Sequence, residues 1–111
     1  MMIYKVLRGP EWRQFQDQWS TTGAPVDLAD GYIHFSTAET LSGTLEKHFS
    51  GEDGLWLLAC EAEALSDALR WEPSRGGALF PHLYRALRLD EVLWSRPLPH
   101  GPNGHEIGAL P

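Results

Sequence analysis

The sequence holds one cysteine, Cys60, and no apolar run near the ~20 residues that a membrane-spanning helix needs. A lone cysteine excludes an internal disulfide and fits a reducing compartment, so a cytosolic location is expected. The opening MMIYKVLRGPEW lacks the long apolar stretch of a secretion signal, because charge returns at Lys5 and Arg8. Positive charge is scarce: 9 Lys and Arg stand against 15 Asp and Glu, a formal net charge of −6. That balance opposes binding to a DNA or RNA backbone. The 5 histidines show neither HExxH nor CxxC spacing, so no metal site is expected. Ser36 and Ser74 lack a nucleophile elbow. No Walker lysine or GxGxxG turn is present, and no close carboxylate pair suggests glycoside hydrolysis.

What remains is a chain of 111 residues, one domain over 1–111, with 42% hydrophobic residues and 5 tryptophans to enlarge a small core. Charge is uneven along it. From Arg70 to Arg88 four arginines face one acid, Glu72, a local balance of +3. An acidic protein with one basic segment suits a small anionic ligand better than a long polyanion; arginines solvated on exposed strands are the alternative.

IYKVL (Ile3 to Leu7) alternates as a strand. Gly9-Pro10 opens a helix, since proline fits the first turn, and Trp12, Phe15 and Trp19 form its apolar stripe. STTGAPVDLADG reads as a polar connection ending in the turn signal Asp30-Gly31. A second helix follows, with the stripe Ala38, Leu41, Leu45, His48 and Phe49 and a stop at Gly51. GLWLLAC is a continuous apolar run of strand length and belongs in a sheet centre. LRW, HLYRAL and EVLWSRPL are further strands, and residues from about 99 to 111 form a loop or loosely held tail. The expected fold is α+β: a split, mixed, largely antiparallel sheet with two main helices.

Two segments carry the chemistry. In DGYIHFSTAET, strand alternation puts Tyr32, His34 and Ser36 on one face and Ile33 and Phe35 on the other. Ser36 and Glu39 match a capping box, so Ser36 or Thr37 caps the helix and the other stays free for a ligand. Helix-entrance amides there offer a seat for an anion. In RWEPSRGGALFPHLY, Pro73 and Gly76-Gly77 make a loop that carries Ser74 and Arg75. Adjacent glycines let a ligand approach the backbone, and the Arg75 fork suits phosphate or carboxylate. Trp71, His82 and Tyr84 complete this second group.

DGYIHFSTAETLSGTLEKHF and LRWEPSRGGALFPHLYRALRLDEVLW resemble the domain-of-unknown-function family 952, small bacterial proteins, over nearly the whole chain. The resemblance implies a fold similar to the ADP-ribosyltransferases, a split mixed sheet around an NAD cleft. In those enzymes a histidine followed by a small hydroxyl residue binds the nicotinamide ribose and amide. His34 and Ser36 match that element, with Phe35 where a glycine is common. The stacking aromatic would be Tyr32, Trp71 or Tyr84. The transferase glutamate has no clear counterpart; Glu72 and Glu106 are acids in the appropriate half. The related RNA 2′-phosphotransferases dispense with it and use arginines and histidine on phosphate, a role that suits Arg75.

The leading expectation is therefore a cleft for NAD or a related nucleotide, with ribosyl or phosphoryl transfer resting on His34 and Arg75. One rival is a non-catalytic binding or sensor domain for a nucleotide or small anion. Another is a structural module in which His34 bonds backbone and Arg75 pairs with Glu72.

Overall fold

The computed structural model describes residues 1–110, apart from the Arg75 side chain. Its centre is strand β4 (Leu55–Glu61), antiparallel on one side to β1 (Met2–Arg8) and on the other to β8 (Trp94–Leu98). The apolar run of β4 has no polar face because helices cover both sides of this sheet. Ile3 and Leu7 of β1 pack with Trp12 and Phe15 of helix α1 (Gly9–Gln18). Tyr4 and Val6, pointing the other way, pack with Leu41, Leu45 and Phe49 around helix α3 (Leu41–His48).

Between the two main helices lie β2 (Ser20–Thr21), a short helix α2 (Pro25–Asp30) and β3 (Ile33–His34). A second sheet has the order β3, β6 (Leu79–Leu83), β5 (Leu69–Pro73). A backbone bridge links the two sheets, in which Tyr4 and Ser36 exchange hydrogen bonds of 2.8 Å each. β2 pairs with β7 (Leu87–Arg88), and β9 (His100–Gly101) with β10 (Gly104–His105). Every ladder among the described residues is antiparallel. The α+β class, the split and the two main helices are as expected; the mixed pairing is not.

Three local expectations need correction. Trp19 is 66% exposed and does not extend the α1 stripe. Its backbone turns left-handed at φ 62, and its N–H bonds Phe15 O at 2.8 Å to close the helix. The polar connection contains α2, which Pro25 opens and whose Asp27 carboxylate accepts the Ala24 N–H at 2.7 Å. The Ser36 and Glu39 capping box does not form, because Ser36 is held extended against Tyr4 and α3 starts only at Leu41. Ala38 and His48 are correspondingly exposed. At the C-terminal end, Ile107 and Leu110 pack against the α3-side core, and Arg96 donates to the carbonyls of Ile107 and Ala109. No helix among the described residues is long and apolar enough to cross a membrane.

Candidate functional site

The site is built on a buried carboxylate. Asp27 is 1% exposed and accepts four donors: Lys5 Nζ at 2.7 Å and Ala24 N at 2.7 Å on Oδ2, His34 Nδ1 at 2.6 Å and His34 N at 3.0 Å on Oδ1. Burial alone would push this carboxyl up. The His34 hydrogen bonds and the Lys5 ammonium more than offset that and hold it at about 2. Gly23 makes room for it: a Cβ there would lie 2.2 Å from Asp27 Oδ2, and its φ is 99. Gly31, at φ 85, turns the chain out of α2 and into β3. Lys5 Nζ also donates to the His34 carbonyl at 3.0 Å, so the ion pair fixes both the ring and the strand that carries it. The second ring nitrogen, Nε2, lies 3.0 Å from Asp30 Oδ2.

The second segment meets the first through strand pairing. His34 stands opposite His82 in the β3–β6 register, and His82 opposite Arg70 in the β5–β6 register. The two imidazoles meet edge to face with centroids 5.2 Å apart. Tyr32 stacks on His82 at 4.3 Å and lies 4.6 Å from His34. His82 Nδ1 is 2.8 Å from Glu72 Oε1, and the Tyr84 hydroxyl donates to the same oxygen at 2.6 Å. Those two bonds, Tyr84 first, hold the Glu72 carboxyl below the usual carboxylate range, and the bond to Glu72 pushes the Tyr84 phenol up. The Arg70 guanidinium lies over the Tyr84 ring at 4.9 Å.

A cavity of about 700 Å³ opens where the sheets part. Tyr32, His34 and Ser36 line it from the first segment, Ser74, Phe80 and His82 from the second. Helix α3 adds Lys47 and its C-terminal cap adds Phe49, and β1 adds Lys5 and Arg8. Arg8 is engaged by Glu52 at 2.9 and 3.1 Å. Lys5 is engaged by Asp27, whereas Lys47 has no ion-pair partner among the described residues.

The remaining expected residues lie elsewhere. Thr37 is buried and bonds Thr40 rather than facing the cavity. Trp71, 38% exposed, and Gly76 and Gly77, exposed on the β5–β6 turn, are not among the cavity-lining residues. Tyr84 borders a separate hollow of about 250 Å³. The Arg75 side chain lies outside the described residues. The surplus charge from Arg70 to Arg88 is largely answered: Arg85 pairs with Asp67 and Glu91, and Arg88 with Asp90. Glu106 is placed beside the β9 glycine, Gly101, outside the cavity lining.

The sequence reading missed Lys5, Asp27, Asp30 and Lys47. Lys5 carried one signal, a charge on the apolar face of an otherwise buried strand. Asp27 and Asp30 are one helical turn apart just before Gly31, which only the recognition of α2 would have made meaningful.

A family model described as a protein of unknown function, DUF952, matches residues 6–95, so the chain belongs to that family. It is similar to the crystal structure of protein CC0527 from Caulobacter crescentus: 47% identity, 95% of this chain and 92% of that one, TM-score 0.91. A double mutant of CC0527 matches at 45% identity over 95% and 92% of the two chains, with TM-score 0.90. The CC0527 solution structure matches at 47% identity over 94% and 90%, with TM-score 0.83. No curated protein matches.

Proposed function

We propose that this DUF952 protein binds NAD or a related nucleotide in the cavity between its two sheets, in the manner of an ADP-ribosyltransferase-like cleft. One observation carries the reading: the two sequence segments that hold its unusual chemistry line a single hollow of about 700 Å³. That volume is of the size that small-molecule sites occupy. The walls suit the ligand class. Tyr32 offers a ring to stack on a base or nicotinamide, Ser36 and His34 offer polar groups for a ribose, and Lys47, which has no ion-pair partner among the described residues, offers a cation for phosphate. Arg75, two residues beyond the end of β5, is the second proposed phosphate group. A single, buried thiol supports a cytosolic setting.

A non-catalytic binding or sensor role is the second reading, and the acids favour it over ribosyl transfer. Glu72 is tied to Tyr84 and His82 outside the cavity lining, and Glu106 sits beside Gly101. Of the acids that do line the cavity, Glu11 accepts the Arg8 N–H and Asp30 Oδ2 lies 3.0 Å from His34 Nε2.

The test is a thermal-shift series with NAD, ADP-ribose, AMP and inorganic phosphate on the wild type, His34→Ala and Arg75→Ala. A ligand at 100 times its Kd adds about 2.7 kcal/mol to the folded state, a rise of about 10 °C in Tm. The reading expects such a rise with at least one nucleotide and its loss in both variants. No shift with any of the four contradicts it.

A further inference from the structure

Strand β5 is a bare edge of the second sheet. The order β3, β6, β5 gives it a strand neighbour on one side only, whereas β1, outermost in the first sheet, is bridged to Ser36. The register shows which of its backbone groups are engaged. Pro81 O accepts the Phe35 N–H on the β3 side, so Phe80 and His82 turn their backbone groups toward β5. Their opposite numbers are Glu72 and Arg70, and Tyr84 N–H donates to Ala68 O in the same alternation. The N–H and C=O of Leu69 and Trp71 therefore point outward from the sheet, as does the C=O of Pro73.

The side chains divide by face. Leu69, Trp71 and Pro73 share one, beside Leu79 of β6, with Trp71 38% and Leu79 54% exposed. Arg70 and Glu72 share the other, and each keeps an unmet group. The Arg70 guanidinium lies over the Tyr84 ring but has no hydrogen-bond or ion-pair partner among the described residues. Glu72 receives Tyr84 and His82 on Oε1, and its Oε2 has no hydrogen bond among those residues.

We infer that β5 pairs antiparallel with β5 of a second copy of this chain, across a two-fold axis at Trp71. A two-fold interface must complement itself, and this strand does. With Trp71 opposite Trp71, the outward N–H of each donates to the C=O of the other. Leu69 N–H of each copy donates to Pro73 O of the other. The same axis sets Arg70 of each copy opposite Glu72 of the other, which gives the guanidinium an acceptor and Oε2 a donor. Centring the axis on Arg70 or Glu72 instead would oppose like charges and present backbone groups that β6 already holds. Charges of one sign protect an edge against its own copy; here opposite signs stand two residues apart and match across the axis. Arg70, Trp71 and Glu72 lie outside the cavity lining, so the dimer does not depend on the nucleotide reading.

The test is sedimentation equilibrium of the full chain from about 10 µM to about 1 mM, a range set by the weakness of small interfaces. The wild type should pass from monomer to dimer. Trp71→Pro removes the outward N–H and the indole, takes no bond from β6, and should weaken association about ten-fold or more. Arg70→Glu, which sets acid against acid, should weaken it by a similar factor. An equimolar mixture of Arg70→Glu and Glu72→Arg should dimerise again, because each chain then meets opposite charges. Arg88→Glu makes the same charge change away from this edge and should leave the dimer constant unchanged. Amide NMR spectra report whether each variant keeps the native fold, and either Trp71→Pro or Arg70→Glu suffices to decide. A wild type that stays monomeric throughout overturns the proposal, as does a dimer that both of those variants leave intact.

Discussion

Asp27 Oδ1 lies 2.6 Å from His34 Nδ1, while its other oxygen lies 2.7 Å from Lys5 Nζ. One carboxylate thus ties β1, α2 and β3 together and fixes Lys5 and His34, both of which line the cavity. Removing it strands the Lys5 ammonium, 6% exposed, in the interior. Asp27→Ala should cost about 3–5 kcal/mol, the range for breaking one side of a buried ion pair, read by urea unfolding. Lys5→Met in the same background should recover part of the loss, because no buried charge then lacks a partner.

The same carboxylate gives acid sensitivity of defined sign. Its folded value of about 2 lies below the ordinary value of about 3.9. The stability it contributes is therefore fully present above pH ~4 and disappears as pH falls through ~2. The amount is on the order of 2 kcal/mol. Other carboxylates titrate in the same range, so the quantity to measure is the stability difference between wild type and Asp27→Asn at pH 7, 4 and 2. That difference should shrink across the lower interval.

Gly23 is the steric counterpart of this arrangement. A methyl group there meets Asp27 Oδ2 at 2.2 Å, on a backbone with φ 99. Gly23→Ala should destabilise by about 1–3 kcal/mol and displace the Asp27 side chain. The second effect is visible as altered His34 ring resonances in NMR spectra at temperatures where the variant is fully folded.

Much of the scaffold was legible because burial writes itself into simple periodicities. The unbroken apolar run Leu55 to Cys60 could only be a strand covered on both sides, and it is the sheet centre. His34 beside Tyr32 and Ser36 followed from strand alternation. Trp19 was misread because an apolar residue at helical spacing fits the end of a helix as well as its buried face. Asp27 was illegible for a different reason. Its partner Lys5 is 22 residues away in sequence, and a buried ion pair has no local pattern. Ser36 satisfied a capping motif but was claimed by Tyr4 of β1, a tertiary contact that outweighs the local one.

Cys60 offers a separate check on the core. Burial pushes its thiol up to about 12, and it belongs to the α1-side cluster. It should resist a neutral-pH disulfide reagent in the native protein and react within seconds in 6 M guanidinium. Fast native reaction would contradict the packing of β4 between two helices.

Lys47 separates a designed anion seat from general surface charge. Lys47→Glu should weaken nucleotide binding by at least ten-fold, since it replaces a cavity cation that has no ion-pair partner among the described residues with an anion. Arg88→Glu, outside the cavity lining, should leave affinity within two-fold. Calorimetry on both variants distinguishes local recognition from net charge.

The most direct measurement is a ¹H–¹⁵N NMR titration of the full chain with ADP-ribose. Saturable shifts should gather on Tyr32, His34, Ser36, Ser74 and His82, drawing the two chain segments into one footprint, and His34→Ala should abolish them. Shifts confined to β9 and β10, or none at millimolar ligand, would contradict the account.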